Sequence, residues 1–298
     1  MSKRRKIGLA VAAAYLLTII VVVVIFGWSR QDNKEFKPQN EFKLDPWVNL
    51  PGPLDITKGV LYVVIAGILT TLSMVYISRR MQARPNRVQT AVETIFAFVR
   101  DEITGGSMDD KMARKWFPFL CTLFLFIWFS NLIGYIPLPT NSQEKIDIAG
   151  LQLPAFALYA ATANISIPLV LALVVFVSFN VEGIRAKGFI GYLKGLIPEG
   201  VGGVGAAPLF VLELVSNFMR LLSLSVRLFA NILAGHLIIL FMSGGLAVLL
   251  GLEGLGVITL PAGVILYLFE LGLVATLQAF IFAVLSAIYL GGAVAEHH

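Results

Sequence analysis

The stretch SLSVRLFANILAGH, residues 223–236, places an arginine inside an apolar segment with helical character. Arg227 is followed by 25 uncharged residues, from Leu228 to Leu252, which is long enough to cross a bilayer. A guanidinium keeps its proton, because its pKa lies above about 12. Moving it to the bilayer centre costs from about 3 to more than about 10 kcal/mol. Apolar residues flank Arg227 on both sides. This disfavours the interpretation that Arg227 lies at a helix end and that its side chain reaches a lipid head group. We therefore predict a functional site whose partner is a carboxylate.

The composition is that of a polytopic membrane protein. Of 298 residues, 57% are hydrophobic and only 14% are charged, against about 25% charged in an average soluble domain. The net charge of +5 does not indicate nucleic-acid binding, because the basic residues cluster beside apolar runs, where they set orientation. The single cysteine, Cys121, excludes an internal disulfide. The histidines that end the chain predict a solvated tail rather than a metal site, and no cofactor is predicted.

The N-terminus predicts a membrane anchor. A basic cluster at residues 3–6 precedes 22 uncharged residues, 7–28, that end in bulky side chains. This pattern favours an uncleaved signal-anchor helix with a cytoplasmic N-terminus over a cleaved signal peptide. A polar, proline-containing stretch then forms an extracytoplasmic linker. We therefore divide the chain into an anchor and linker, 1–58, and a main domain, 59–298.

The hydropathy pattern predicts an all-α membrane protein with about six transmembrane helices, the last two being long. Every basic cluster falls on one side, which places both termini in the cytoplasm. Proline at positions 154 and 168 divides the fourth run into a short re-entrant or interfacial piece and a span. An amphipathic helix from Pro85 to Ile103 either lies at the interface or packs on its neighbours, and packing is favoured. The apolar runs are 7–28, 59–78, 116–143, 148–181, 207–243 and 259–290.

Polar residues gather on the last two helices. On an ideal helix with about 100° per residue, four side chains lie within about 40° of Arg227 and a carboxylate lies on the same side, whereas His236 points the opposite way. The residues on the Arg227 side are Glu213, Ser216, Arg220, Ser223 and Asn231, and the final helix adds Glu270, Gln278 and Tyr289. Packing explains small polar residues, but not an arginine, two carboxylates and a histidine at depth. Two polar tracks separated by a fixed charge suggest two half-channels for an ion.

These residues resemble the a-subunit family of F-type ATP synthases. The most specific parts are SLSVRLFANILAGH and TLQAFIFAVLSAIYL, residues 276–290. FSNLIGYIP, which contains Asn131, and TANISIPLVLAL, residues 162–173, add to the match. The similarity extends over residues 59–289 and leaves out the first apolar run. It implies a stator subunit that couples ion flow to the rotation of a ring of c subunits and performs no phosphoryl chemistry.

The resemblance also implies roles for individual residues. Arg227 would face the carboxylates of the c-subunit ring, and Arg220 would be a second basic residue near the outlet. The inlet from the outer side would be lined by Asn131, Asn231, His236, Glu270 and Gln278, and the outlet toward the cytoplasm by Glu213 and Ser216. Ser223 and Tyr289 are secondary candidates. The implied partners are the c ring, the b-subunit stator stalk, the rest of the synthase and membrane lipid, in a bacterial plasma membrane.

The sequence departs from the family pattern in spacing. Glu270 precedes Gln278 by eight residues, where the resemblance leads us to expect seven. A local bulge would absorb the extra residue, but the partner of His236 stays open. Gly134 and Pro168 stand where some relatives carry polar residues, which puts those inlet contacts in doubt.

Two other functions are weighed against the resemblance. A secondary transporter with a buried arginine–glutamate gate would take up substrate without other chains, and a purely structural scaffold would tolerate leucine in place of Arg227. The sequence leaves the coupling ion, proton or sodium, undecided.

Overall fold

A computed structural model describes residues 42, 44, 46–48, 56–79, 86–148, 151–195, 206–245 and 253–294. The predicted anchor helix at 7–28 lies outside these residues. The described part is an all-α membrane protein with short two-stranded ladders. Five of its helical runs are long and apolar enough to cross a membrane: Lys58–Ile77, Asp110–Gly134, Ser166–Lys187, Ala207–Ser243 and Thr259–Val294.

The helices are numbered α1 to α8 in chain order. They are α1 Lys58–Arg79, α2 Arg87–Phe98, α3 Asp110–Gly134, α4 Ser166–Lys187, α5 Phe189–Lys194, α6 Ala206–Leu240, α7 Glu253–Phe269 and α8 Ala275–Val294. Three π-helical segments, in which each turn holds one extra residue, follow α2, α6 and α7 directly. They are π1 Val99–Thr104, π2 Phe241–Gly245 and π3 Glu270–Val274. Helices therefore lie where the sequence predicts spans at 59–78, 207–243 and 259–290.

The amphipathic helix predicted after Pro85 is present as α2 and π1. Asn86 caps it, because its side-chain oxygen accepts a hydrogen bond from the Gln89 backbone N–H at 2.8 Å. Val99 and Ile103, at its C-terminal end, are fully buried, whereas Val88 near its start is exposed. The C-terminal half thus packs on its neighbours, as favoured from the sequence.

The third predicted span has different bounds in the structure. Helix α3 begins at Asp110 rather than 116 and ends at Gly134 rather than 143. Its polar first turns are stabilised from α4, since the Lys115 ammonium forms an ion pair with the Glu182 carboxylate. Beyond α3 the chain changes to extended structure, because an antiparallel partner strand takes up its backbone hydrogen bonds.

That extended structure is a β-hairpin, and its second strand lies in the segment predicted as a short re-entrant or interfacial piece. The position of this segment relative to the membrane stays a prediction. Its strands are β3 Leu138–Ile148 and β4 Leu151–Ala157, after the short ladder of β1 Pro46–Val48 and β2 Ile56–Thr57. The register pairs Leu138 with Ala157 and Ile148 with Leu151. Pro154 is accommodated because β4 has a single partner strand, so that one edge needs no N–H donor.

The chain divides into two compact units. The larger comprises residues 44–137, 159–233 and 273–298, and the smaller contains the described residues 138–158 and 234–272. In the larger unit, α3 packs against α1 and α8, and α8 also packs against α4. Helix α8 presents four fully buried alanines at every fourth position, Ala275, Ala279, Ala283 and Ala287. Small residues on one stripe let neighbouring helices approach closely, which is how membrane helices gain packing energy.

In the smaller unit, π2 packs against α7. The approach is close at Gly263, where an added Cβ would lie 3.0 Å from the Ser243 backbone nitrogen. Segment π2, which extends α6, therefore lies against α7, the helix that leads directly into π3 and Glu270.

Close packing around α3 generates a stability prediction. An alanine Cβ at Gly134 would lie 2.4 Å from the Ala160 Cβ and 2.7 Å from its Cα, so the backbone must move. We expect Gly134→Ala to destabilise the protein by about 1–3 kcal/mol, a typical cost of overpacking. The measurement is the thermal midpoint of unfolding in detergent.

Gly67→Ala is the matched control, because nothing lies within 4 Å of a Cβ at Gly67 in α1. Alanine there should be neutral or stabilise the helix by up to ~1 kcal/mol. Equal midpoints for the two variants would contradict the close contact at Gly134.

Candidate functional site

Helix α6 displays Arg227 on an exposed face. Arg227, Ser223 and Asn231 are exposed, and so is the apolar neighbour Val226, whereas Leu228 is buried. Among the residues that the structure describes, no carboxylate lies within 4 Å of the Arg227 guanidinium. The face therefore combines an apolar surface with a permanent charge whose counter-ion is not among the described side chains.

Gln278 lies beside Arg227. Both side chains line one narrow cleft between α6 and α8, too narrow to hold a water molecule. Gln278 is only 6% exposed, so its position is set by packing. The cleft wall is otherwise apolar, formed by Leu224, Leu228, Ile281 and Phe282. The structure thus brings together two of the predicted site residues from the two long helices.

Three further predicted residues meet nearer the start of α6. Arg220 donates a hydrogen bond to the Glu213 carboxylate, with 3.3 Å between Nη2 and Oε1. Its guanidinium also lies over the Tyr289 ring, 5.5 Å from the centroid, an arrangement that favours a cation. Ser216 is exposed and does not join this group.

Glu213 and Arg220 line a cavity of about 200 Å³, which we call the polar cavity. Its other lining residues are Phe179, Lys187, Tyr192, Gly195, Asn217, Gly292 and Ala293. Helices α4, α5, α6 and α8 each contribute at least one of them. The cavity is large enough for several water molecules, and its walls carry both charged and neutral polar groups.

Sequence reasoning missed Tyr192 and Asn217, which line this cavity, and Asn180, which bonds to both. The Asn180 Oδ1 accepts hydrogen bonds from the Tyr192 hydroxyl at 2.8 Å and from the Asn217 Nδ2 at 3.1 Å. Asn180 and Asn217 stand out as amides in apolar runs, a signal present in the sequence. Tyr192 gave no signal, because the six-residue helix α5 that carries it is too short for a periodic pattern.

In the smaller unit, the Glu270 carboxylate lies against the α6 backbone. A Cβ on Gly235 would be 2.3 Å from Glu270 Oε2 and 2.5 Å from its Cδ. A larger residue at 235 would therefore have to displace the carboxylate from this position. The next residue, His236, is 3% exposed. The Glu270 carboxylate therefore lies against the turn of α6 that carries His236.

The expected local bulge is present after Glu270. Segment π3, Glu270–Val274, separates α7 from α8. A π-turn accommodates one extra residue. The helix that follows therefore has the same rotational phase as a regular helix without that residue. The spacing of eight between Glu270 and Gln278 is thus equivalent in phase to a regular spacing of seven, which on a helix of 3.6 residues per turn closes two turns.

Asn131 links α3 by hydrogen bonds to the start of α8, just after this bulge. It is fully buried, its Nδ2 donates to the Ala275 backbone carbonyl at 3.1 Å, and its Oδ1 accepts from the Thr162 hydroxyl at 2.7 Å. The Trp128 Nε1 donates to the Thr276 hydroxyl at 3.0 Å one turn away. A π-to-α junction disturbs the regular backbone ladder, and Asn131 satisfies a carbonyl at that junction. Its role in proton transfer remains a prediction.

Comparison with known proteins gives a consistent result. The family model described as ATP synthase A chain matches residues 60–291. The ATP synthase subunit a of Rubrobacter xylanophilus is 37% identical over 80% of this chain and 83% of the relative. The subunits a of Pelagibacter ubique and Paramagnetospirillum magneticum are each 34% identical, over 88% and 87% of this chain and 98% and 99% of the relatives.

The bulge generates a prediction about deletions in the last helix. Deleting Gly272 from π3 should convert the segment to a regular helix and leave the phase of α8 unchanged, so we expect the variant to accumulate in membranes and keep its function. Deleting Val284, within regular α8, rotates the residues beyond it by about 100°. This deletion should abolish both accumulation in membranes and function. Chain abundance and ATP-driven proton pumping in membrane vesicles measure the difference. Equal loss in both deletions would contradict the phase argument.

Proposed function

The chain belongs to the ATP synthase A chain family, and we propose that Arg227 is the fixed charge that couples ion flow through this subunit to rotation of a c-subunit ring. Membership makes the chain a multi-pass membrane component of an ATP synthase. The finer proposal is a stator subunit with two proton half-channels and no part in ATP hydrolysis. The main domain, 59–298, would carry this function, after the anchor and linker of 1–58.

The observation that carries the proposal is the exposed, uncompensated Arg227. A cation in a membrane span needs an anionic partner or water, and the described residues supply no carboxylate within 4 Å. A carboxylate on a neighbouring c subunit would supply it. At about 4 Å and an effective dielectric of about 20, two opposite charges gain about 4 kcal/mol. That gain favours the ionised form of a c-subunit carboxylate whenever it faces Arg227.

Net rotation follows from the two protonation states together with the membrane potential. A protonated ring carboxylate is neutral and can face lipid, whereas the ionised form cannot. Each ring carboxylate would release its proton beside Arg227 toward Glu213 and Ser216, rotate, and be reloaded from the inlet. A potential of about 100 mV adds about 2.3 kcal/mol per charge that crosses fully. Arg227 would also block direct leakage between the two paths.

The inlet would use the residues beyond Arg227 on α6 and their neighbours. A neutral histidine ordinarily becomes charged near pH 6.5, and a nearby carboxylate favours the charged form. The position of the Glu270 carboxylate at Gly235, directly before His236, supports a proton relay by these two residues. Asn131, Asn231 and Gln278 would border the same path.

The proposed setting is a bacterial plasma membrane with both termini in the cytoplasm. The basic residues at the ends of α1 and α4, Arg79, Arg185 and Lys187, support this orientation, and so does the bacterial origin of the relatives. It places the polar cavity on the cytoplasmic side. The b-subunit stalk would hold the subunit stationary against the ring.

Arg227→Ala tests the coupling role. We expect it to abolish ATP-driven proton pumping in inverted vesicles while the complex still assembles, because Arg227 is exposed on α6 rather than buried in the helix packing. Ile238→Ala, at another exposed position of α6, is the control and should pump normally. Normal pumping by the Arg227→Ala variant would refute the proposal.

Arg227→Leu separates the coupling role from a purely structural one. A scaffold would tolerate leucine, which suits the apolar surroundings better than a cation, so unimpaired pumping would favour the scaffold. A transporter acting alone would instead show substrate uptake by this chain without any c subunit.

A second prediction compares the two ends of the path. His236→Ala should slow passive proton flux more than Arg220→Ala does, after removal of the catalytic head, because His236 would accept protons whereas Arg220 stays charged. Proton entry into vesicles under an imposed potential is the measurement, with the abundance of the a subunit as the control for assembly. Equal effects of the two substitutions would argue against the inlet assignment.

A further inference from the structure

A junction of three helices that the proposed function does not use lies beside the polar cavity, and two of its residues, Tyr192 and Asn217, line the cavity. Asn180 of α4 accepts hydrogen bonds from Tyr192 of α5 and from Asn217 of α6. The Tyr192 ring lies on Gly183, since a Cβ there would be 2.5 Å from the ring. Gly183 and Asn180 are three residues apart on one side of α4. Tyr192 is therefore held by its ring and by its hydroxyl, which fixes α5 as a wall of the cavity.

Asn217 has an unsatisfied acceptor at this junction. The residue is 5% exposed, and its Nδ2 is bonded to Asn180. Its Oδ1 is buried and has no hydrogen-bond partner among the described residues. Leaving a buried carbonyl oxygen unpaired costs about 1–3 kcal/mol. Buried polar atoms are otherwise paired with protein groups or with ordered water.

The cavity has the size and polarity that ordered water requires. Its volume of about 200 Å³ corresponds to about seven waters at about 30 Å³ each. A buried water needs two to four polar partners, and Asn217, Tyr192, Glu213 and Arg220 all line the same space.

The cavity lining combines a charge pair with neutral polar groups. Glu213 and Arg220 form an ion pair with each other, whereas Tyr192 and Asn217 contribute neutral polar atoms to the same lining. Burial raises the pKa of Tyr192, so its hydroxyl stays protonated and both donates and accepts hydrogen bonds.

We propose that Asn217, with Asn180 and Tyr192, forms a water-binding site in the polar cavity, and that protons leave through this water. The proposal rests on the proposed function, since it supplies the last part of the outlet. Amide side chains do not carry protons at neutral pH, so the excess proton would move from one water to the next. Asn217 is thus a positioning residue that holds a water in line.

The first test replaces Asn217 with leucine, which has a similar shape but no polar atom. We expect passive proton flux through head-depleted membranes to fall several-fold in Asn217→Leu and to be largely retained in Asn217→Ser, whose hydroxyl can still bind water. A merely structural role would not distinguish these variants by polarity. Wild-type flux in Asn217→Leu would overturn the proposal.

The second test detects the water directly. Asn217→Cys and Phe218→Cys are made in a Cys121→Ala background and treated with a membrane-impermeant maleimide from the cytoplasmic side. The reagent needs a thiolate, which forms only in contact with water. We expect faster labelling at 217 than at 218, the neighbouring exposed apolar position of α6. Equal or slower labelling at 217 would overturn the proposal. This outcome can be measured even where Asn217→Leu fails to assemble.

Arg227→Ala, measured alongside, keeps the two hypotheses distinguishable. If Arg227→Ala pumps normally, the proposed function fails, whatever Asn217 does. If Arg227→Ala is inactive and Asn217→Leu conducts normally, the water site alone is wrong.

Discussion

The arrangement depends on a cation that cannot be neutralised by losing its proton. A lysine in a span can shift its pKa and become neutral, but a guanidinium keeps its charge at this depth. Arg227 therefore needs a counter-charge, and the described part of the chain offers no carboxylate within 4 Å. Its exposure beside apolar side chains is what we expect of a surface that another subunit covers in the proposed mechanism. A mobile carboxylate that meets a fixed cation is what converts ion flow into rotation in the proposed mechanism.

The rest of the larger unit fixes that cation and its neighbours in place. The buried alanines of α8 allow close packing against α3 and α4, and this packing positions Gln278 beside Arg227. Asn131 bonds to the backbone directly after π3 and so stabilises an irregular helix where the extra residue is accommodated. A buried amide with both ends satisfied rigidifies such a junction. Proton transfer and structural support are compatible roles for it, and the geometry establishes the second.

The sequence predicts the helices well, because a run of about 20 apolar residues has few alternatives in a bilayer. It predicts the β3–β4 hairpin poorly, since polar residues around 142–147 and Pro154 resemble a loop, although the two strands are neighbours in sequence. The bulge at Glu270 was expected only from the spacing in the family. At the cavity, Glu213 and Arg220 are predicted from the polar face and the resemblance, and so is Tyr289, whose ring lies against Arg220. Asn180, Tyr192 and Asn217 come together only through tertiary packing.

Disulfide formation between subunits tests the central claim most directly. Asn231→Cys, on the exposed face one turn beyond Arg227, is paired with a cysteine one turn from the membrane carboxylate of the c subunit, in a Cys121→Ala background. Ile232→Cys, fully buried on α6, is the matched control. The account predicts an a–c product upon oxidation with Asn231→Cys and none with Ile232→Cys. No product with Asn231→Cys, or a product with Ile232→Cys alone, would show that the face of α6 carrying Arg227 does not meet the ring.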